Sequence, residues 1–123
     1  MCPDERQLLG ARGEQAAADF LGRRGLKLVA RNLRTPVGEI DLVLRDRRHL
    51  VFVEVKTRRG TGFGLPQEAV TTRKQRQILR AAQWYLNDNG PGRLQPRFDV
   101  VAVIERDGKT EIEHIENAFG LPA

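Results

Sequence analysis

Apolar residues recur at three-to-four spacing from about Glu5 to Arg24, with Leu8, Leu9, Ala16, Ala17, Phe20 and Leu21 forming one stripe. That period predicts an amphipathic helix, and Gly25 stands where such a helix commonly closes. Lys27–Asn32 reads as a short strand, and Thr35-Pro36 breaks the chain after it. From about 37 to 45 the pattern alternates, with Ile40, Leu42 and Leu44 on one face and Glu39, Asp41 and Val43 on the other. The polar turn Asp46-Arg47-Arg48-His49 joins this strand in a hairpin to the next, about 50–57. There Val51, Val53 and Val55 share one face, and Leu50, Phe52, Glu54 and Lys56 the other. A glycine-rich loop runs from Arg58 to Pro66. A second helix begins near Thr72, where Thr72-x-x-Gln75 has the form of a capping box. It directs Ile78, Leu79, Ala82, Tyr85 and Leu86 inward and stops at Asn89-Gly90-Pro91-Gly92. Arg97–Ile104 is apolar enough for a central strand, and Asp107-Gly108 turns it into a weaker one, about Thr110–Ile115. Helix, three strands, helix, two strands is the order of a mixed α/β sandwich with helices packed on the sheet.

Charged residues interrupt two of these strands. Asp41 lies within Val37–Leu44, and Glu54 and Lys56 lie within Leu50–Lys56. An unpaired buried charge is costly, so each needs a partner, a metal or a chemical task. Glu54 and Lys56 are two residues apart and leave the same face of their strand, while Asp41 sits on the neighbouring strand of the hairpin. Two converging carboxylates repel until a cation joins them, and Mg²⁺ is an oxygen-seeking cation that keeps open water positions for a phosphate. The bland alternative is an ion pair on a solvent-facing sheet surface. Leu50 and Phe52 on the face of Glu54 favour a side covered by a helix. Glu14 has Gly10, Ala11, Ala17, Ala18 and Leu21 on its own helix face; its carboxylate either turns to the sheet or sits at the rim of the apolar arc.

At 123 residues the chain is long enough for one layered core, and one domain with a core of about 5–119 is expected. Its single cysteine, Cys2, can form no internal disulfide, and His49 and His114 are isolated in sequence, which argues against a zinc site. No run approaches the ~18 apolar residues of a membrane span, and the start is polar without an apolar segment behind it. A cytoplasmic location without membrane attachment is therefore expected. The net charge is +5, and 17 of the 21 basic residues are arginine. Arginine suits bidentate phosphate contacts, although GC-rich codons would inflate it as well. Arg58, Arg59, Arg73, Lys74 and Arg76 flank the glycine-rich loop; they either hold phosphates or form a solvated basic surface. Gly60-x-Gly62-x-Gly64 lacks the Gly-Lys-Ser/Thr of a P-loop and opens no helix directly, so a substrate-side loop is the better reading. Trp84 and Tyr85 read as helix core.

Taken in order, Gly13-Glu14, Arg31-Asn32, Gly38-Glu39-Ile40-Asp41, Phe52-Val53-Glu54-Val55-Lys56, Phe63-Gly64, Glu68-Ala69-Val70, Lys74 and Arg97-Phe98-Asp99-Val100 closely resemble the bacterial YraN-like family. The resemblance runs from about Gly10 to Phe119, with no departure at the charged motif positions. It implies a restriction-endonuclease-like αβββαβ core of the PD-(D/E)xK superfamily, similar to archaeal Holliday-junction resolvases. In those enzymes a helical glutamate, a strand aspartate and a Glu-x-Lys motif bind metal and cleave DNA. By that resemblance Glu14, Asp41 and Glu54 become metal-associated carboxylates, the Val55 carbonyl a further ligand, and Lys56 the catalytic lysine. The implied activity is a Mg²⁺- or Mn²⁺-dependent endonuclease acting on DNA, including branched or damaged forms, and resolvase kinship makes a homodimer plausible. Fold kinship alone does not establish activity. A non-catalytic nucleic-acid-binding module and a protein-interaction adaptor are the alternatives.

Overall fold

A computed structural model describes residues 5–60, 70–89 and 92–120. Its elements are α1 (Glu5–Arg23), β1 (Lys27–Thr35), β2 (Gly38–Arg45), β3 (His49–Arg59), α2 (Thr72–Asn89), β4 (Gln95–Arg106) and β5 (Lys109–Phe119). The strands form one sheet in the order β1-β2-β3-β4-β5. Only β3 and β4 are parallel, because only they are joined through a helix long enough to carry the chain back to the same end. This is the mixed α/β sheet flanked by two helices that the element order predicts.

The two sheet faces carry separate cores. Ala17, Ala18 and Leu21 of α1 pack on Leu42, Leu44, Val51, Val53, Val101 and Val103. On the opposite face, Ile78, Ala81 and Ala82 of α2 pack on Ile40, Val43, Leu50, Phe52, Phe98 and Val100. The side of β3 that carries Leu50, Phe52 and Glu54 is thus covered by a helix, as its composition suggests. Tyr85 belongs to this core, edge-on to Phe52 at 6.0 Å, whereas Trp84 points outward and is 39% exposed.

Local signals act mostly as expected. Gly25 closes α1 with φ +94°, and Leu26 N–H reaches back to the Leu21 carbonyl, the six-to-one bond of a Schellman cap. The Asp46 side chain accepts from the amides of Arg48 and His49 and fastens the β2–β3 turn. Thr35-Pro36 does not break the sheet. Thr35 pairs with Gly38, its hydroxyl accepts from Val37 N–H and donates to the Gly38 carbonyl, and the result is the turn of a β1–β2 hairpin. The cap of α2 is Thr71, one residue before the expected Thr72: its hydroxyl accepts from Lys74 N–H. Strand β5 continues past Ile115 to Phe119, whose ring stacks on Phe98 at 5.4 Å. Most of the glycine-rich loop, residues 61–69, lies outside the described residues; Gly60 is tied to β4 through Glu105 O and Arg106 Nε.

Ile40 departs from the expected alternation. It joins Val43 in the α2 core, while Leu42 and Leu44 face α1, so strict period two is lost between 40 and 43. The physical reason lies at both ends of this stretch. A Cβ on Gly38 would come within 3.1 Å of the Gln77 carbonyl, so β2 begins close against α2. Its pairing with β3 starts only at Leu42–Val53.

Gly13 sets how closely α1 approaches the sheet, since a methyl there would collide with Thr57 Oγ1 and lie 3.1 Å from Thr57 Cβ. Gly13→Ala is expected to lower stability by about 1–2 kcal/mol, overpacking outweighing the ~1 kcal/mol gain in helix propensity. Urea denaturation checks this, with partial recovery in the Gly13→Ala/Thr57→Ala double variant. Unchanged or increased stability would refute the close approach.

Candidate active site

The ladder between β2 and β3 ends at Leu42–Val53. One residue further, the same register sets Asp41 opposite Glu54, but no backbone pair forms there. Instead Val55 N–H donates to Asp41 Oδ2 at 2.8 Å. The carboxylate takes the place of a strand carbonyl, and the strands part around it. The β1–β2 register likewise sets Asn32 opposite Asp41, between the pairs Arg31–Leu42 and Leu33–Ile40. Asn32, Asp41 and Glu54 therefore form a row across three strands.

Lys56 and Lys74 converge on this row. The Lys56 ammonium lies 3.4 Å from Glu54 Oε1, and the Lys74 ammonium, from the first turn of α2, lies 3.8 Å from the same oxygen. The Glu54 side chain is only 5% exposed. A cleft of about 400 Å³ opens beside it, bounded by Leu9, Gly10 and Glu14 of α1, Asp41 of β2, and Glu54 through Arg58 of β3. Glu14 thus faces the sheet rather than standing at the outer rim of its helix.

Burial and repulsion govern the protons here. Burial, then the Asp41 carboxylate, raise Glu54 from its ordinary 4.5 to about 7, against the pull of Lys74 and Lys56. Asp41 is also raised by burial, with the Val55 amide and Glu54 opposing the rise. Ionised together, the two carboxylates repel each other, and Glu54 shows the larger rise. Glu14 is raised by burial and by Asp41, while the neighbouring Asn32 amide favours its ionised form. Three carboxylates that all resist ionisation together form a site suited to a cation. Among the described residues, no three Asp, Glu, His or Cys side chains stand close enough to grip a metal ion without adjustment. The donor set nonetheless fits a hard divalent cation, being oxygen only, with carboxylates whose mutual repulsion a cation would relieve.

Of the residues singled out in the sequence, Asp41, Glu54, Val55 and Lys56 meet in one place, and Glu14 borders it. Val55 enters through its amide. The basic set divides. Lys74 reaches the carboxylates, and Arg58 lines the cleft with its guanidinium on the Thr57 carbonyl. Arg59 turns to Glu105 at 3.6 Å, and Arg73 and Arg76 are exposed on α2. Asn32 is the member that pattern reading passes over. Its φ of +47° is a conformation that asparagine tolerates better than other non-glycine residues, the one local signal it offers.

A second polar cluster lies within the fold. Asp99 is fully buried, accepts two bonds from Arg97 at 3.0 and 2.9 Å, meets His114 Nε2 at 2.7 Å and accepts from Asn117 N–H. His114, isolated in sequence, is therefore part of a network. Burial alone would raise Asp99, but His114, Arg97 and the Asn117 amide together hold it below its usual range. Phe20 packs edge-on against His114 at 6.2 Å, with Arg24 over the Phe20 ring, which ties the end of α1 to β5.

A mixed five-stranded sheet between two helices, with an aspartate on β2 and a Glu-x-Lys on β3, is consistent with a restriction-endonuclease-like core. Residues 13–103 match the family described as "Uncharacterised protein family UPF0102". The chain is 59% identical over 117 residues to a UPF0102 protein of Syntrophotalea carbinolica, covering 95% of each chain. It is 51% identical to one of Desulfosudis oleivorans, over 94% of this chain and 93% of the relative. A relative in Trichlorobacter lovleyi is 49% identical over 94% and 92%. The chain belongs to this family. Among the described residues, no helix is long and apolar enough to cross a membrane.

The raised Glu54 has a measurable consequence for stability. The folded chain holds this proton from 4.5 up to about 7, where the unfolded chain has released it, so stability falls as pH rises through that window. The full effect is on the order of 3 kcal/mol. Glu54→Gln, which keeps a donor toward Asp41, is expected to flatten the loss between pH 5 and 8 in denaturation series. Equal slopes in both proteins would contradict the assignment.

Proposed function

We propose that this protein is a divalent-metal-dependent endonuclease that hydrolyses phosphodiesters of DNA, including branched or damaged forms. The observation that carries the reading is the Asp41–Glu54 pair at the opening of the β2–β3 ladder, with Lys56 beside it and a cleft leading to it. Asp41 and Glu54 would hold Mg²⁺ or Mn²⁺, with the Val55 carbonyl as a further ligand and Glu14 at the margin. When bound, the ion supplies a water of lowered pKa and polarises the phosphoryl oxygen. Lys56 orients the attacking water or offsets charge building on the phosphorus. Arg58 at the cleft and the exposed Arg73 and Arg76 on α2 suit contacts to flanking phosphates.

A second reading takes support from the same ion pairs. Glu54 already has two ammonium partners, so its charge can be offset without a metal, and a module that binds nucleic acid without turnover would need none. That reading predicts salt-sensitive binding and no cleavage.

The test is incubation of the purified protein with Mg²⁺ or Mn²⁺ and a panel of junction, flap, single-stranded and duplex DNA. Cleavage is expected, reduced about 10²-fold or more by Asp41→Ala and by Lys56→Ala. Equal cleavage by both variants would mark a contaminant and sink the proposal. Because Glu54 must release a proton near pH 7 to serve as a ligand, Mn²⁺ affinity measured by calorimetry is expected to rise up to about pH 7 and then level off. A flat profile from pH 5 to 8 would count against Glu54 as a ligand.

A further inference from the structure

We infer that Lys74 is a second phosphate-holding lysine of this site, released from Glu54 by a divalent cation and thereby coupling cation binding to phosphodiester binding. The inference rests on the metal-dependent reading above and extends it to a residue on another element. Lys56 stands beside Glu54 because the two are neighbours on one face of β3. Nothing local does the same for Lys74. It arrives from the first turn of α2, on the far side of the loop after β3, and still places its ammonium 3.8 Å from the oxygen that Lys56 approaches at 3.4 Å. Arg73 and Arg76 on the same turn stay exposed, and Arg59 is engaged with Glu105. Lys74 is half-buried, with its side chain 34% exposed. The first turn of α2 contains no acidic residue, and an ammonium there opposes the helix dipole, so this placement does not serve the helix.

The balance of charge sets how the site responds to a cation. Two ammoniums already stand against the Asp41–Glu54 pair, at 3.4 and 3.8 Å from one Glu54 oxygen. A dication on Glu54 would stand within a few ångströms of both lysines and repel them. Lys56 lines the cleft and is the less exposed of the two, 24% against 34%. Lys74 has a flexible four-carbon stem and an open side, so its ammonium can leave without moving α2. Having lost its carboxylate, it needs an anion, and a phosphodiester oxygen held at the cation beside Glu54 would supply one.

The experiment is a binding cycle. Mn²⁺ affinity is measured by calorimetry for the native chain, Lys74→Gln and Lys74→Arg. Affinity for a duplex with a nuclease-resistant phosphorothioate backbone is measured by fluorescence anisotropy with and without Mn²⁺. Lys74→Gln is expected to bind Mn²⁺ several-fold more tightly, because a competing cation is gone. Mn²⁺ is expected to tighten duplex binding about tenfold in the native chain, within the usual range of coupling between sites, and less than about twofold in Lys74→Gln, with Lys74→Arg in between. An equal Mn²⁺ effect on duplex binding in the native chain and Lys74→Gln would overturn the role of Lys74 and leave the nuclease reading standing. Failure of the native chain to bind Mn²⁺ would overturn both.

Discussion

The hydrogen bond from Val55 N–H to Asp41 Oδ2 is the constraint on which the site depends. In a regular antiparallel pair that amide would find a backbone carbonyl on β2, and the strands would stay closed. A side-chain acceptor satisfies the amide without the matching carbonyl. The pairing stops beyond Leu42–Val53, and Asp41, partly buried, and Glu54, buried, stand there beside the cleft. Both Asp41 and Glu54 acquire raised pKa values there, chiefly through burial. One interaction therefore stands where the ladder ends and fixes Asp41 beside the cleft.

Besides its apolar core, helix α1 meets the sheet at two further points. Midway along it Gly13 lies directly on Thr57. Near its end Phe20 and Arg24 engage His114, which is itself fixed by the fully buried Asp99. Glu14 follows Gly13, so the contact that lets the helix approach also brings its carboxylate to the cleft. Asp99 illustrates the cost of such an arrangement. A buried carboxylate is tolerated only when its bonding capacity is filled, and Arg97, His114 and the Asn117 amide fill it.

Much of this was legible in the chain. Periodicity located both helices and the strands β2 and β3, because period 3.6 and period 2 are imposed by which side must be buried, and apolar runs between turn residues located the other strands. The hairpin turn at 46–49, the end of α1 at Gly25 and the helix over the Glu54 face came from residue chemistry of the same local kind. The intrusions of Asp41, Glu54 and Lys56 marked the site for the simplest of reasons: charge is out of place in a strand of valines. The misses share a different origin. Ile40 left its expected face where β2 starts against α2 at Gly38 and is not yet paired with β3, Thr35-Pro36 became a hairpin turn because a partner strand was available, and Asn32 gained a place in the site only once it stood opposite Asp41.

The sequence by itself determined the element order, the two apolar faces and the presence of buried charge, since these depend on near neighbours and on the burial each residue type prefers. The tertiary structure alone decided which charges meet. Lys74 reaches Glu54 while Arg73 and Arg76, beside it in sequence, do not. His114 and Asp99 join from separate strands. Such pairings depend on register, on helix approach and on where a ladder stops, and these are set by the packing of the whole sheet rather than by any one segment.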